Sequence, residues 1–313
     1  MEDTKNMDGR LLILGNGFDL NINYRTKYSD FANKVKLNWP FDAAKEGLGG
    51  YLQHRAKTDN WLDLESALLD YASSVGGAAN PDATGVYPTE SDEFDYDRLV
   101  SALQVYIERV IDEDAVDSNS IAAKVLQTFL GRSGYSIYSF NYTNLQKVAY
   151  ALYIKDSRYE RKNYELDYTP VHGCIETKDI ILGVNGDAEL IEGYEFLRKN
   201  ERPLYRKTNL LQDLFFSKEI TFFGLSMGKI DYPYFRDFWE VLCHGSVPKE
   251  EKRHITIFTY DTLSMRQILN QLRSLTRTDL LTLQSNSYFE VIRTEECKWE
   301  DKEKFENWIK RNA

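Results

Sequence analysis

The sequence has few cysteines and histidines, no long apolar run and a deficit of positive charge. Its three cysteines, Cys174, Cys243 and Cys297, stand far apart with no C-x-x-C pair. That excludes a disulfide framework and a zinc ribbon, and no metal is expected. No stretch approaches the roughly 18–20 consecutive apolar residues of a membrane span. Residues 1–10 are polar and lack the apolar middle of a secretion signal. A cytoplasmic protein that does not engage membrane is the expectation. Lys and Arg number 39 against 49 Asp and Glu, a formal charge of −10. This balance argues against binding nucleic acid or anionic lipid through bulk charge. Basic clusters such as Arg198-Lys199, Arg202 and Arg206-Lys207, with Tyr205 among them, read as a solvated helix face. A nucleic-acid-acting protein is the weaker alternative for them. There is no internal repeat and no low-complexity tract.

At 42% hydrophobic residues, the 313-residue chain has ample material for a core. Arg10-Leu-Leu-Ile-Leu14 is a short apolar run that stops at Gly15-Asn16-Gly17, the pattern of a strand buried on both faces of a parallel sheet. Strands of the same kind are expected at Tyr135–Phe140, Thr169–His172, Asp179–Gly183, Glu219–Gly224, His254–Thr259 and Tyr288–Ile292, with helical patterns between them. The alternation gives an α/β fold with a mostly parallel sheet. Helical patterns dominate residues 26–131, too long for a simple crossover. One α/β domain with a helical insertion or lid over about 26–131 is therefore expected.

Polar residues cluster where strands end. Leu12-Ile-Leu-Gly-Asn-Gly-Phe-Asp19 is a strand, a glycine turn and a helix start, the place where an open α/β sheet meets phosphates. A full dinucleotide fingerprint needs a third glycine, and Leu20 stands there. A purely structural turn and a binding turn both fit. Asp19 reads either as a helix N-terminal carboxylate helped by the dipole or as an acceptor for a ribose hydroxyl or a neighbouring site group. Ser139-Phe-Asn-Tyr-Thr-Asn144 ends the second strand, and its Asn141 and Thr143 read first as helix-capping residues and second as site residues. His172, before Gly173, is one of four histidines; it reads as a structural hydrogen bonder or as a group for acid–base work. Gly224-Leu-Ser-Met-Gly-Lys-Ile-Asp231 is a second glycine turn, with Ser226 able to donate to phosphate and Asp231 able to cap the next helix. Glu65, four residues after Trp61 and three before Leu68, lies at the border of an apolar stripe, where a carboxylate needs a partner.

The order of these turns resembles the AbiH family of bacterial phage abortive-infection proteins. The matching pieces are Ile13-Leu-Gly-Asn-Gly-Phe-Asp19, Tyr28-Ser-Asp-Phe31, Trp61-Leu-Asp-Leu-Glu65, Ser139-Phe-Asn-Tyr-Thr143, His172-Gly173 and Phe223-Gly-Leu-Ser-Met-Gly-Lys-Ile-Asp231. The order is also similar to that of sirtuin-like, Rossmann-like NAD-binding domains used in antiphage defence. That resemblance implies an effector that binds NAD and hydrolyses its nicotinamide glycosidic bond. By position it puts Asn141 and His172 at the chemistry, and Gly15, Asn16, Gly17, Phe18, Asp19, Gly224, Ser226 and Asp231 at the dinucleotide. Tyr28, Asp30, Glu65 and Thr143 stand behind them. The missing cysteine pairs and acyl-lysine channel argue against deacylation. A nucleotide-binding sensor without catalysis is the alternative. A phage-derived or protein trigger and a homo-oligomer are compatible with the same resemblance.

Overall fold

The computed structural model describes residues 9–35, 47–58, 63–73, 90–154, 166–202, 205, 207–278, 280–295 and 299–313. Six strands make one sheet: β1 (Gly9–Leu14), β2 (Tyr135–Ser139), β3 (Thr169–Pro170), β4 (Ser217–Phe223), β5 (Arg253–Thr259) and β6 (Ser287–Arg293). Their order is β3-β2-β1-β4-β5-β6. Every pairing is parallel. This is the strand order of a doubly wound Rossmann-like sheet, whose topological switch point falls between β1 and β4.

The central strands are buried because their side chains are apolar on both faces. Leu11, Leu12, Ile13 and Leu14 are all fully buried. The helices are, in chain order, α1 (Asn16–Asn21), α2 (Tyr28–Val35), α3 (Gly47–Thr58), α4 (Leu64–Ser73), α5 (Glu90–Glu113), α6 (Ile121–Gln127), α7 (Leu145–Ile154), α8 (Leu210–Phe216), α9 (Arg236–His244), α10 (Thr262–Thr276), α11 (Leu280–Asn286) and α12 (Trp299–Asn312). Side-chain caps set several of the starts: Asp63 accepts from the Ser66 N–H before α4, Ser120 from the Ala123 N–H before α6, Asn144 from the Lys147 N–H before α7 and Asp261 from the Ser264 N–H before α10. On one face of the sheet, Phe222 stacks on Trp239 of α9 at 5.6 Å between ring centroids. At α12, the Trp308 indole N–H donates to Thr221 Oγ1 at 3.1 Å, which satisfies a fully buried donor.

Two compact units share the described chain. The first takes residues 1–24, 115–171 and 207–313 and holds the sheet; the second takes 25–114 and 172–206. The expected helical insertion over 26–131 thus corresponds to a second unit that ends at Asp114 and adds a later segment, while α6 belongs with the sheet. Asp179–Gly183, read as a strand from its Ile-Ile-Leu run, joins no strand. It is apolar because it is buried in the second unit, where the Ile181 N–H donates to the His172 carbonyl at 2.9 Å. The second unit has its own polar centre. Buried Asp92 accepts from the Leu48 N–H at 2.8 Å and from the Tyr194 hydroxyl at 2.9 Å. Among the described residues, no helix is long and apolar enough to cross a membrane.

Candidate functional site

In the first unit, the two glycine turns at the switch point are pressed together. A Cβ on Gly17 would lie 2.6 Å from Gly224 Cα, and one on Gly224 would lie 2.4 Å from Gly17 Cα, so neither position admits a larger residue without backbone movement. Gly224 also has φ +65, which favours glycine. The Gly15 N–H donates to the Phe223 carbonyl and the Gly17 N–H to the Gly224 carbonyl, both at 2.9 Å. The Phe18 N–H donates to the Gly15 carbonyl at 2.9 Å. These amides are therefore committed to the protein's own backbone. The turn brings the start of α1, with Asp19, against the loop after β2.

There the polar residues meet. Asn141 Nδ2 donates to the Gly15 carbonyl at 3.1 Å and to Asp19 Oδ1 at 2.9 Å. The Thr143 hydroxyl donates to the same Oδ1 at 3.1 Å. The Asn141 N–H is held in turn by Ser139 Oγ at 3.2 Å. Asp19, Asn141, Thr143 and Ser139 are all buried, and Asp19 is 1% exposed. Burial pushes the Asp19 carboxyl up to about 7, against the downward pull of the Thr143 and Asn141 hydrogen bonds. Asp19 sits in the first turn of α1 and accepts from both neighbouring side chains. Phe18 is buried and edge-on to Phe223 at 5.8 Å. Ser226 is exposed, and its oxygen accepts from the Gly228 N–H at 3.3 Å. Asp231 directly precedes a short 3-10 turn, Tyr232–Tyr234, with no side-chain cap bond to it. Asn16 is partly buried in the first turn of α1.

The second unit holds a separate cluster. His172 and Lys199 are buried, at 3% and 1% exposure. Lys199 Nζ lies 2.8 Å from Glu65 Oε1 and 3.2 Å from His172 Nε2. Glu65, at the border of the α4 apolar stripe, thus has as its partner a residue that the sequence reading placed on a solvated face. That face is corrected here: Lys199 sits inside, and a buried lysine is held by a carboxylate. Burial, and then the Lys199 ammonium, push the His172 imidazole well below its ordinary value. It is neutral, and with an ammonium at Nε2 its proton belongs on Nδ1. Burial raises the Glu65 carboxyl, with Lys199 opposing. Tyr28 and Asp30 lie partly buried at the start of α2 in the same unit. Trp61, quoted in the resemblance, lies outside the described residues. Among the described residues, no group of three His, Cys, Asp or Glu side chains could hold a metal.

The profile described as "Bacteriophage abortive infection AbiH" matches residues 11–247, which includes both glycine turns, Asn141, Glu65, His172 and Lys199. The chain belongs to the AbiH family. Comparison with curated proteins returns no relative. An abortive-infection role against phage follows from membership of the AbiH family. Within the AbiH match, Lys199 is the residue that sequence reading missed. Its neighbour Arg198 disguises it as surface charge, and the signal for it was Glu65, a carboxylate at the border of an apolar stripe that needs a partner.

Proposed function

We propose that this AbiH chain acts in abortive infection by binding NAD and hydrolysing its nicotinamide glycosidic bond. The observation that carries the reading is Asn141, at the C-terminal end of β2, bonded at once to the glycine turn and to Asp19. An amide held in this way is oriented before any ligand arrives, which is what positioning a ribose or a water requires. The polar side chains suit the nicotinamide ribose, whose hydroxyls need acceptors and donors. They suit the pyrophosphate less, because the Gly15 and Gly17 amides are already used. Ser226, exposed on the second turn, keeps its hydroxyl hydrogen for a phosphate or ribose oxygen. In the second unit, the His172 imidazole is neutral with an ammonium at its Nε2, which suits the expected acid–base work poorly.

The test is nicotinamide release from NAD, followed by chromatography, for wild type and Asn141→Ala. Release that Asn141→Ala leaves undiminished would remove Asn141 from the chemistry. A nucleotide sensor without turnover is the second reading, and the neutral, lysine-facing His172 favours it. Calorimetry separates the two: a sensor binds NAD and returns it intact even in cells that are aborting phage growth.

A further inference from the structure

Resting on the NAD reading above, we propose that the turn after β4, residues 225–229, holds the diphosphate of the dinucleotide, in place of the glycine turn after β1. The first turn has no amides to give, since those of Gly15, Gly17 and Phe18 donate to the protein's own carbonyls. The second turn is in the opposite state. Its Gly228 N–H is used, donating to Ser226 Oγ at 3.3 Å. Among the described residues, the N–H groups of Leu225, Ser226, Met227 and Lys229 donate to no protein atom. Four donors left open in one turn call for an acceptor from outside.

Met227 sets the shape of this turn. Its φ is +54, left-handed backbone that favours glycine, although Gly228 stands next to it. The side chain accounts for a methionine there. Met227 and Leu225 are 0% and 3% exposed and belong to the same buried cluster as Phe222 and Trp239. Ser226, between them, is exposed, and so is Lys229. Both neighbours of Ser226 are thus anchored inward, which fixes its backbone at the surface. The turn lies at the C-terminal end of β4, beside the switch point, where open parallel sheets bind their ligands. Successive N–H groups in a turn with a left-handed residue form a concave set of donors for an anion. The Ser226 hydroxyl hydrogen adds a neutral donor and the Lys229 ammonium a charged one. A chain of net charge −10 can hold a diphosphate in this way, through dipoles at one turn rather than through bulk charge.

The experiment titrates inorganic pyrophosphate, then ADP-ribose and NAD, into the full chain labelled with nitrogen-15. With pyrophosphate, the amide signals of residues 225–229 are expected to shift while those of residues 15–18 stay still. Calorimetry compares the wild type with the Ser226→Ala, Lys229→Gln double variant, whose two exposed changes leave the core cluster intact. The double variant should bind pyrophosphate about tenfold more weakly or worse, the loss expected when hydrogen bonds to a charged group are removed. Shifts at residues 15–18 instead, shifts at neither turn, or a double variant within threefold of wild type each overturn the assignment. NAD that is bound or cleaved while the amides of residues 225–229 stay still overturns the subsite and leaves the NAD reading standing. Pyrophosphate that shifts them, with NAD neither bound nor cleaved, overturns the NAD reading and leaves the turn as a site for another diphosphate.

Discussion

Lys199 Nζ stands 3.2 Å from His172 Nε2 inside the second unit, and its other neighbour is Glu65 Oε1 at 2.8 Å. This contact fixes the imidazole as a neutral acceptor toward lysine and thereby limits what His172 can do as a base. Burial is the larger cause of the lowered His172 value and Lys199 the smaller. In histidine-selective NMR, His172 is therefore expected to stay neutral well below pH 6.5, protonated on Nδ1. Lys199→Met should move its titration upward only part of the way. A His172 ring that titrates near 6.5 in the wild type would contradict the arrangement.

Removing that cation should also cost stability. Lys199→Met leaves the Glu65 carboxyl buried without a cation, a change worth about 3–5 kcal/mol in comparable buried pairs. Chemical denaturation of Lys199→Met, Glu65→Gln and the double variant completes a cycle in which the double variant should recover part of the loss. Strict additivity of the two single losses would mean that the pair is not coupled.

The glycine turns carry a steric prediction. Gly17→Ala places a Cβ 2.6 Å from Gly224 Cα, a backbone atom that cannot rotate away. Overpacking of this kind costs about 1–3 kcal/mol. Gly224→Ala should cost at least as much, because it adds strain at φ +65. Thermal melts would measure both. An unchanged melting temperature in Gly17→Ala would show that the two turns are not packed as described.

How much of this was legible in the sequence differs between the two units. The sheet was readable because Leu11–Leu14, Phe222–Phe223 and Ile257–Phe258 are apolar runs too short for helices, within strands bounded by turns. Asp179–Gly183 has the same local pattern and is not a strand, since burial alone, without a neighbouring strand, produces the same hydrophobicity. At the site, the strand-end rule located Asp19, Asn141 and Thr143, but no local pattern reveals that all three share one carboxylate oxygen. Nor does it show that the Gly15 and Gly17 amides are already spent on β4 and its turn. The Lys199 error has the same origin, since a lysine beside an arginine looks solvated until the carboxylate across the fold is known.

Asn141→Ala tests the link between the turn and the carboxylate. It deletes the bonds to the Gly15 carbonyl and to Asp19 Oδ1, and losing buried partners costs about 1–3 kcal/mol. Because the Asn141 bond holds the Asp19 value down, its loss should raise that value further. Carbon-13 NMR of the labelled carboxyl should show Asp19 titrating higher in Asn141→Ala than in wild type. A lower or unchanged midpoint would mean that Asn141 does not donate to it.

Asp19 also leaves a signature on stability, whatever the reaction proves to be. Its folded value is about 7, while an unfolded aspartate titrates near about 3.9. The folded protein thus binds this proton more tightly than the unfolded chain does. Its stabilising contribution is full below pH about 4 and is lost as pH rises to about 7, because the buried carboxylate must then carry its charge. Asp19→Asn removes the charge and keeps an acceptor for Asn141 and Thr143. It should flatten this part of the pH dependence and exceed the wild type in stability at pH 8 by on the order of 2–4 kcal/mol. Urea denaturation midpoints at pH 5 and pH 8 measure the difference. The gain should be small at the lower pH and larger at the higher one. Equal gains at both, or a loss at pH 8, would show that the wild-type carboxylate is stabilised in place and that its raised value is wrong. A protein that keeps a destabilising aspartate at this point gives up stability for a charge that Asn141 and Thr143 hold in a fixed direction.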